Sequence, residues 1–172
     1  MNINFLKKSI FFIAMFLFLA CNNYDKYETD DYILKIPHIA YNIKPEKDSI
    51  QIFFKKHQTK ISVCVIKKSR FEFTPQNELN DCLAKELSNF MLAKQTANII
   101  TRHTEINGYA AIEVSGTNTL KNNEKYYWTF AIIPTKYFFY IIRLYSPMTN
   151  YSFNEYIHQK IINSFYLKNI TK

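Results

Sequence analysis

An α+β fold, with a largely antiparallel sheet of about six to seven strands and two main helices, is predicted from three patterns in this 172-residue chain. Runs rich in Tyr, Phe, Ile and Val alternate in polarity and are punctuated by Pro, Asn and Gly, which marks strands and hairpins. Two segments, near residues 74–94 and 151–165, switch to apolar spacings of three and four, which marks amphipathic helices. Several strands are apolar on both faces, so the helices are expected one on each side, as an α/β/α sandwich.

The first 20 residues stand apart. Lys7 and Lys8 precede an apolar run, Ile10 to Ala20, that is too short to span about 30 Å of hydrocarbon at 1.5 Å per residue. A basic start, a short apolar stretch and the polar, acidic "NNYDKYETDD" behind it describe an export signal. Residues 1–20 are therefore expected to be removed, residues 21–31 to form a polar tether, and residues 32–172 to form one domain.

The strands open with "YILKIPHIAYNIKP" and "SIQIFFKK", with Pro37 and Pro45 at edges or bends. In "KISVCVIKKS", Ile61, Val63 and Val65 alternate with Ser62, Cys64 and Ile66, the pattern of a central strand. Helix chemistry begins at "FTPQNELND": Thr74 is suited to cap and Pro75 to the first helical position, and Leu79, Leu83, Leu87, Phe90 and Met91 follow on one side. Asn80, Lys85 and Asn89 form the opposite, polar face.

Asn107-Gly108 between two extended runs predicts a type I′ hairpin turn. The polar stretch 116–124 then leads to "KYYWTFAII", a turn at Pro134, Thr135 and Lys136, and "YFFYIIRLYS". With the turn there, Tyr126, Trp128, Phe130 and Ile132 are expected to pair with Phe138, Tyr140, Ile142 and Leu144. Ser152 and Glu155 form a capping-box signature for the last helix, whose stripe includes Phe153, Tyr156, Ile157, Ile161 and Phe165.

Phe18, Leu19, Ala20 and Cys21 resemble the lipobox of bacterial lipoproteins, which implies cleavage before Cys21 and attachment of lipid to its sulfur. An uncut membrane anchor and a soluble-secretion signal are the alternatives. Asn22, where Asp marks inner-membrane retention in enterobacteria, implies by the same resemblance an outer-membrane placement, facing the periplasm or the cell surface.

The chain also resembles the PsbP-like superfamily, which includes the DcrB-like lipoproteins. The segments "YILKIP", "FTPQNELND", "INGYAAIEVSG", "YYWTFAIIPTKYFFYIIRLYS" and "INSF" carry the resemblance, which spans residues 32 to 167. It implies the α/β/α sandwich and a non-enzymatic accessory or binding role, and brings no catalytic set with it.

The residues agree in offering little chemistry. His38, His57, His103 and His158 are isolated, with no zinc-ligand spacing, and two glycines cannot build a phosphate loop. His103 shares a strand face with Glu105 and reads as a solvent-facing pair; the alternative is a metal or acid-base pair, which would give a hydrolase. No cofactor or metal is expected. The chain has 22 basic and 14 acidic residues; the leader holds two of the lysines and no acid, which leaves +6. Its lysines are dispersed, with pairs only at Lys55, Lys56, Lys67 and Lys68 and no recognition motif, so a solvated basic face or attraction to anionic lipid is expected rather than nucleic-acid binding.

Cys64 and Cys82 remain after Cys21. An even pair in an oxidising compartment permits one disulfide, and both also read as small core residues. Tyr137, Arg143 and Tyr145 share the less apolar face of the aromatic strands and are the candidate partner surface. The expected function is a lipid-anchored envelope accessory that binds a protein partner; an immunity or inhibitor lipoprotein that neutralises a periplasmic toxin is the alternative.

Overall fold

The computed structural model describes residues 24–37, 42–46, 49–90 and 95–168. Residues 1–20, Cys21, His38 and Met91 lie outside them. Ten strands and two α-helices are described: β1 (Tyr24–Glu28), β2 (Tyr32–Pro37), β3 (Asn42–Glu46), β4 (Ser49–Phe54), β5 (Thr59–Ser69), α1 (Glu78–Phe90), β6 (Gln95–Ile106), β7 (Tyr109–Thr119), β8 (Lys125–Pro134), β9 (Phe138–Pro147), α2 (Tyr151–Asn163) and β10 (Tyr166–Leu167).

Seven of the strands form one antiparallel sheet in the order β3-β4-β5-β9-β8-β7-β6, and β1-β2-β10 form a smaller one. The fold is α+β, with two helices and a mostly antiparallel sheet. Alternation along the central strands sorts their side chains into two cores. Ile61 and Val63 of β5, Ala131 and Ile133 of β8, and Tyr140, Ile142 and Leu144 of β9 face α2 and the small sheet, where Ile157, Ile161, Leu34 and Ile36 meet them. Trp128, Phe130, Ile132, Phe139 and Ile141 face α1, which contributes Cys82 and Phe90. Each Val, Leu, Ile or Phe side chain so buried contributes about 1.5–3 kcal/mol. Pro45 sits in β3, an edge strand, the position in a sheet where proline is accommodated.

The expected tether is corrected by β1. Tyr24–Glu28 pairs along its whole length with β2, and Asp31 holds Lys67 through both carboxylate oxygens at 2.9 and 3.0 Å. Five polar residues become a strand because Tyr27 packs inward, tilted 6.5 Å from Tyr32, while Lys168 bonds the Thr29 carbonyl at 2.6 Å.

The β8–β9 register is corrected as well. Pro134 remains in β8, opposite Phe139, and the loop is Lys136-Tyr137. Thr135 closes it: its N–H donates to the Phe138 carbonyl at 2.8 Å, and its hydroxyl accepts the Phe138 N–H at 3.2 Å. The sheet tolerates Pro134 because the β7–β8 ladder has already ended at Ile112 opposite Ile132. Trp128 therefore pairs with Tyr145, Phe130 with Arg143 and Ile132 with Ile141, while Tyr140, Ile142 and Leu144 turn to the other face.

Both helix starts move. A turn from Thr74 to Asn77, with Pro75 at its second position, precedes α1, whose first bond runs from the Asp81 N–H to the Asn77 carbonyl at 2.9 Å. Before α2 stands Asn150 in the left-handed region, φ +59°, without a side-chain cap, so Ser152 lies inside the first turn. Asn154 ties this start down: its amide donates to the carbonyls of Pro147 and Thr149 at 2.7 and 2.8 Å, and its oxygen accepts the Thr59 hydroxyl at 3.1 Å. The Asn107-Gly108 turn forms as expected, with φ +49° and +83°, and Asn107 also donates to the Asn163 and Phe165 carbonyls.

Candidate functional site

Two places bring polar or exposed groups together, one beneath α1 and one at the sheet end where β5 stops. Beneath α1, Glu86 is completely buried. One of its oxygens accepts Lys68 Nζ at 2.5 Å; the other accepts Arg143 Nε at 2.7 Å and also Nη2. Lys68 on β5 and Arg143 on β9 are mostly covered, so α1 is pinned to two central strands by one carboxylate with two cations. Nothing in the spacing of Leu79, Leu83 and Leu87 announces Glu86, yet the helix buries Cys82, Glu86 and Phe90, a stripe of period four.

The C-terminal end of α1 is received by aromatic and amide groups. Phe90 stacks on Phe130 at 5.1 Å and Tyr145 at 5.2 Å, and lies tilted against Trp128 at 4.5 Å. Asn118 of β7 donates to the Phe90 carbonyl at 3.0 Å and accepts the Trp128 indole N–H at 2.9 Å, which satisfies both groups. Burial pushes the Cys82 thiol up to about 11 and the Tyr145 phenol to about 12, so both stay protonated at neutral pH.

At the end of β5, Ser69 caps a single 3-10 turn, Arg70–Glu72, through a reciprocal pair of bonds with Phe71 N–H and the Glu72 carboxylate. Arg70 fixes the turn from the inside. Its backbone N–H donates to the Tyr137 carbonyl at 2.9 Å, its Nη1 to the Thr135 carbonyl at 2.9 Å, and its Nε to Glu78 at 2.5 Å, while the guanidinium lies 5.5 Å over the Phe139 ring. The turn so held presents Phe71 at 85% exposure, and the neighbouring loop presents Tyr137 at 51% with Lys136 Nζ 5.1 Å from its ring. An exposed phenyl on a backbone pinned at both ends can be covered by a partner with little ordering cost.

The expected surface of Tyr137, Arg143 and Tyr145 is not one surface. Tyr137 is at the loop, whereas Arg143 and Tyr145 lie on the face that α1 covers, with Tyr145 roughly 25 Å further along the strand. No disulfide joins Cys64 and Cys82: Cys82 is packed in the aromatic core, and Cys64 stands opposite Arg143 on β5. Phe71 and Glu86 were not singled out from the sequence; the only signal for Phe71 is its place between two charges in "SRFEF", where no apolar periodicity claims it.

The histidines are scattered. His57 stacks on Phe153 at 3.6 Å, and His103 lies in the edge strand β6. His158 is fully buried, with Nδ1 3.1 Å from the Thr129 hydroxyl and its ring stacked on Tyr127. Burial lowers its pKa to about 3, so it is neutral. Among the described residues no three His, Cys, Asp or Glu side chains converge as metal ligands, and no helix is long and apolar enough to cross a membrane.

No protein-family model and no curated protein matches the chain. Solved structures do. PA94 of Pseudomonas aeruginosa, a protein of unknown function, aligns with a TM-score of 0.54 at 13% identity over 87% of this chain and 100% of that one. The Ran-binding protein Mog1p of Saccharomyces cerevisiae aligns at 0.52 and 8% identity over 84% and 95%. LpqN of Mycobacterium tuberculosis, involved in cell envelope biogenesis, aligns at 0.47 and 13% identity over 86% and 84%. At these identities the likeness is one of fold alone.

Proposed function

We propose that this chain is a lipid-anchored, non-enzymatic accessory of the cell envelope, attached through Cys21, that binds a protein partner with the Phe71 and Tyr137 end of its sheet. The observation that carries the binding role is the phenyl of Phe71, 85% exposed on a turn whose Ser69, Arg70 and Glu72 are all engaged in holding it. Aromatic side chains and arginine are the groups enriched in protein interfaces. Anchoring rests on the sequence: a basic start, an apolar run too short to span, and a cysteine after Leu-Ala. Outer-membrane placement rests on Asn22 by resemblance.

Cys21→Ser tests the anchor. Loss of radiolabelled acyl incorporation together with release to the soluble fraction supports it, and a variant that stays membrane-bound and uncut overturns it in favour of a simple anchor. Affinity capture from detergent-solubilised envelope tests the partner: a protein recovered by the native chain and lost with Phe71→Ala supports the binding site, and recovery unchanged by that substitution overturns it. The captured protein also separates accessory from immunity function, since a resident envelope component fits the first and an imported toxin the second.

A further inference from the structure

Three places outside the site above invite a role. The buried His158 and the unpartnered Ser146 hydroxyl are closed off from solvent. The edge strand β6 exposes Ile99 and Ile100 but carries no mark of what covers it. The third place, the outer face of the small sheet, is marked both by its side chains and by its position next to the chain's point of attachment.

Leu34 and Ile36 of β2 point into the core, so Ile33 and Lys35 point out, and Lys26 of β1 stands directly opposite Lys35. Tyr24 and Tyr166, 40% and 53% exposed, flank them. Together with Asn107, Asn163 and Ser164, Lys26, Ile33, Lys35 and Tyr166 line an open groove of about 410 Å³. One turn before Asn163, α2 exposes Lys160, whose ammonium lies 5.4 Å from the ring of exposed Tyr156. Glu28 is the acid beside these lysines, and it is already bound to Lys26 and Lys168. Tyrosine and lysine without a buried apolar patch are the chemistry of the bilayer interface, where the ring sits among headgroups and the ammonium meets phosphate.

The position decides the occupant. Only two residues separate Cys21 from Tyr24. Fully extended, that connection spans at most about 11 Å, and β1 carries the chain straight on to Lys26. A domain held at residue 21 therefore keeps Lys26 within about 18 Å of its attachment point, which brings this face within reach of the headgroups.

We propose that the outer face of the β1-β2-β10 sheet, Tyr24, Lys26, Lys35 and Tyr166, continued by Tyr156 and Lys160 of α2, rests on anionic phospholipid and fixes the orientation of the domain on its membrane. This rests on the anchored reading above, but only on attachment near residue 21, whether by lipid or by an uncut apolar run. With this face down, the sheet is not free to tumble on its anchor, and the approach of a partner is restricted to the remaining surface.

Lysine acylation with a water-soluble ester, read peptide by peptide in the mass spectrometer, tests it on the full chain reconstituted into protein-free vesicles of phosphatidylcholine with and without phosphatidylglycerol. Lys26, Lys35 and Lys160 are expected to react about fivefold more slowly in the anionic vesicles, with Lys85, Lys121 and Lys125 unchanged. Lys26→Glu/Lys35→Glu is expected to restore the rate at Lys160 while acyl labelling at Cys21 persists. Equal rates at all lysines, protection of Lys121 and Lys125 instead, or a chain that does not stay with the vesicles overturns the proposal. Protection found in native membranes but absent from anionic vesicles also overturns it, because a protein then covers the face. If the three lysines are protected while Cys21 carries no acyl group, the lipid-anchor reading fails and this one stands.

Discussion

Glu86 of α1 accepts the Nε–H of Arg143 at 2.7 Å while its second oxygen accepts Lys68 Nζ at 2.5 Å, so that one fully buried carboxylate joins the helix to β5 and β9. Removing it leaves two cations beneath the helix with no counter-charge. Glu86→Ala is expected to cost about 3–5 kcal/mol in urea unfolding. Arg143→Met, which keeps the Glu86–Lys68 pair and fills the space with an apolar chain, is expected to cost less. A loss under about 1 kcal/mol for Glu86→Ala would mean that the helix is held by its aromatic contacts alone.

His158 makes stability fall with acid. Its ordinary pKa of 6.5 applies to the unfolded chain, and burial lowers the folded value to about 3. Above pH 6.5 neither state is charged and the residue contributes nothing to pH dependence. Between pH 6.5 and about 3 only the unfolded chain takes up the proton, so folding loses up to about 1.4 kcal/mol per pH unit. His158→Phe is expected to flatten the pH dependence of the urea midpoint from pH 6.5 down to pH 4. An unchanged slope would assign the acid sensitivity to carboxylates instead.

The layers and the order of elements were legible in the sequence because they follow from periodicity, which survives errors of a residue or two. The β8–β9 pairing was not. Placing the turn on Pro134, Thr135 and Lys136 sets Ile132 opposite Phe138; the actual turn on Lys136-Tyr137 sets it opposite Ile141. That shift of three residues is odd, so every β9 side chain changes face. Proline as a turn marker misled here because the strand ladder had already ended, and a tertiary fact of that kind is absent from local sequence. Glu86 was hidden for a related reason: a glutamate on a helix reads as solvent-facing until Lys68 and Arg143 arrive from strands far away in the chain. The strand at Tyr24–Glu28 was masked by its own polarity, since Asp25, Lys26 and Glu28 look like a tether when the partner strand is out of view.

Gly116 is required by its neighbour rather than by its backbone. A Cβ there would stand 2.4 Å from Cζ2 of Trp128, whose indole is fully buried and bonded to Asn118. Gly116→Ala is expected to displace the indole, disturb the Asn118 bond that receives the end of α1, and cost about 1–3 kcal/mol. Near-UV circular dichroism reports the change, because Trp128 is the sole tryptophan. A native tryptophan signal in the variant would show that the sheet yields in place of the ring.

The thiols give a direct readout of the α1 core. Cys82 is buried and its pKa is raised to about 11, so the folded chain is expected to leave it unmodified by iodoacetamide at pH 8. Unfolding in urea should expose both Cys64 and Cys82 without any reductant, as no disulfide joins them. Peptide masses after non-reducing digestion decide it, and a cross-linked peptide would contradict the assignment.

Phe71 and Tyr137 separate binding from stability. Because Phe71 is 85% exposed and its ring buries almost nothing, Phe71→Ala is expected to change unfolding free energy by less than about 0.5 kcal/mol. Tyr137→Ala should behave likewise, since the loop is held through the Tyr137 carbonyl and Thr135 rather than by the phenol. Arg70→Ala should not: it removes the bonds to Glu78 and the Thr135 carbonyl that fix the turn, and is expected to cost about 1–2 kcal/mol. If this end of the sheet binds the envelope partner, the two aromatic substitutions weaken capture at unchanged stability, and Arg70→Ala weakens both. Equal capture by the native chain and the Phe71→Ala/Tyr137→Ala double variant would remove this end from consideration and send the search to the β6 edge.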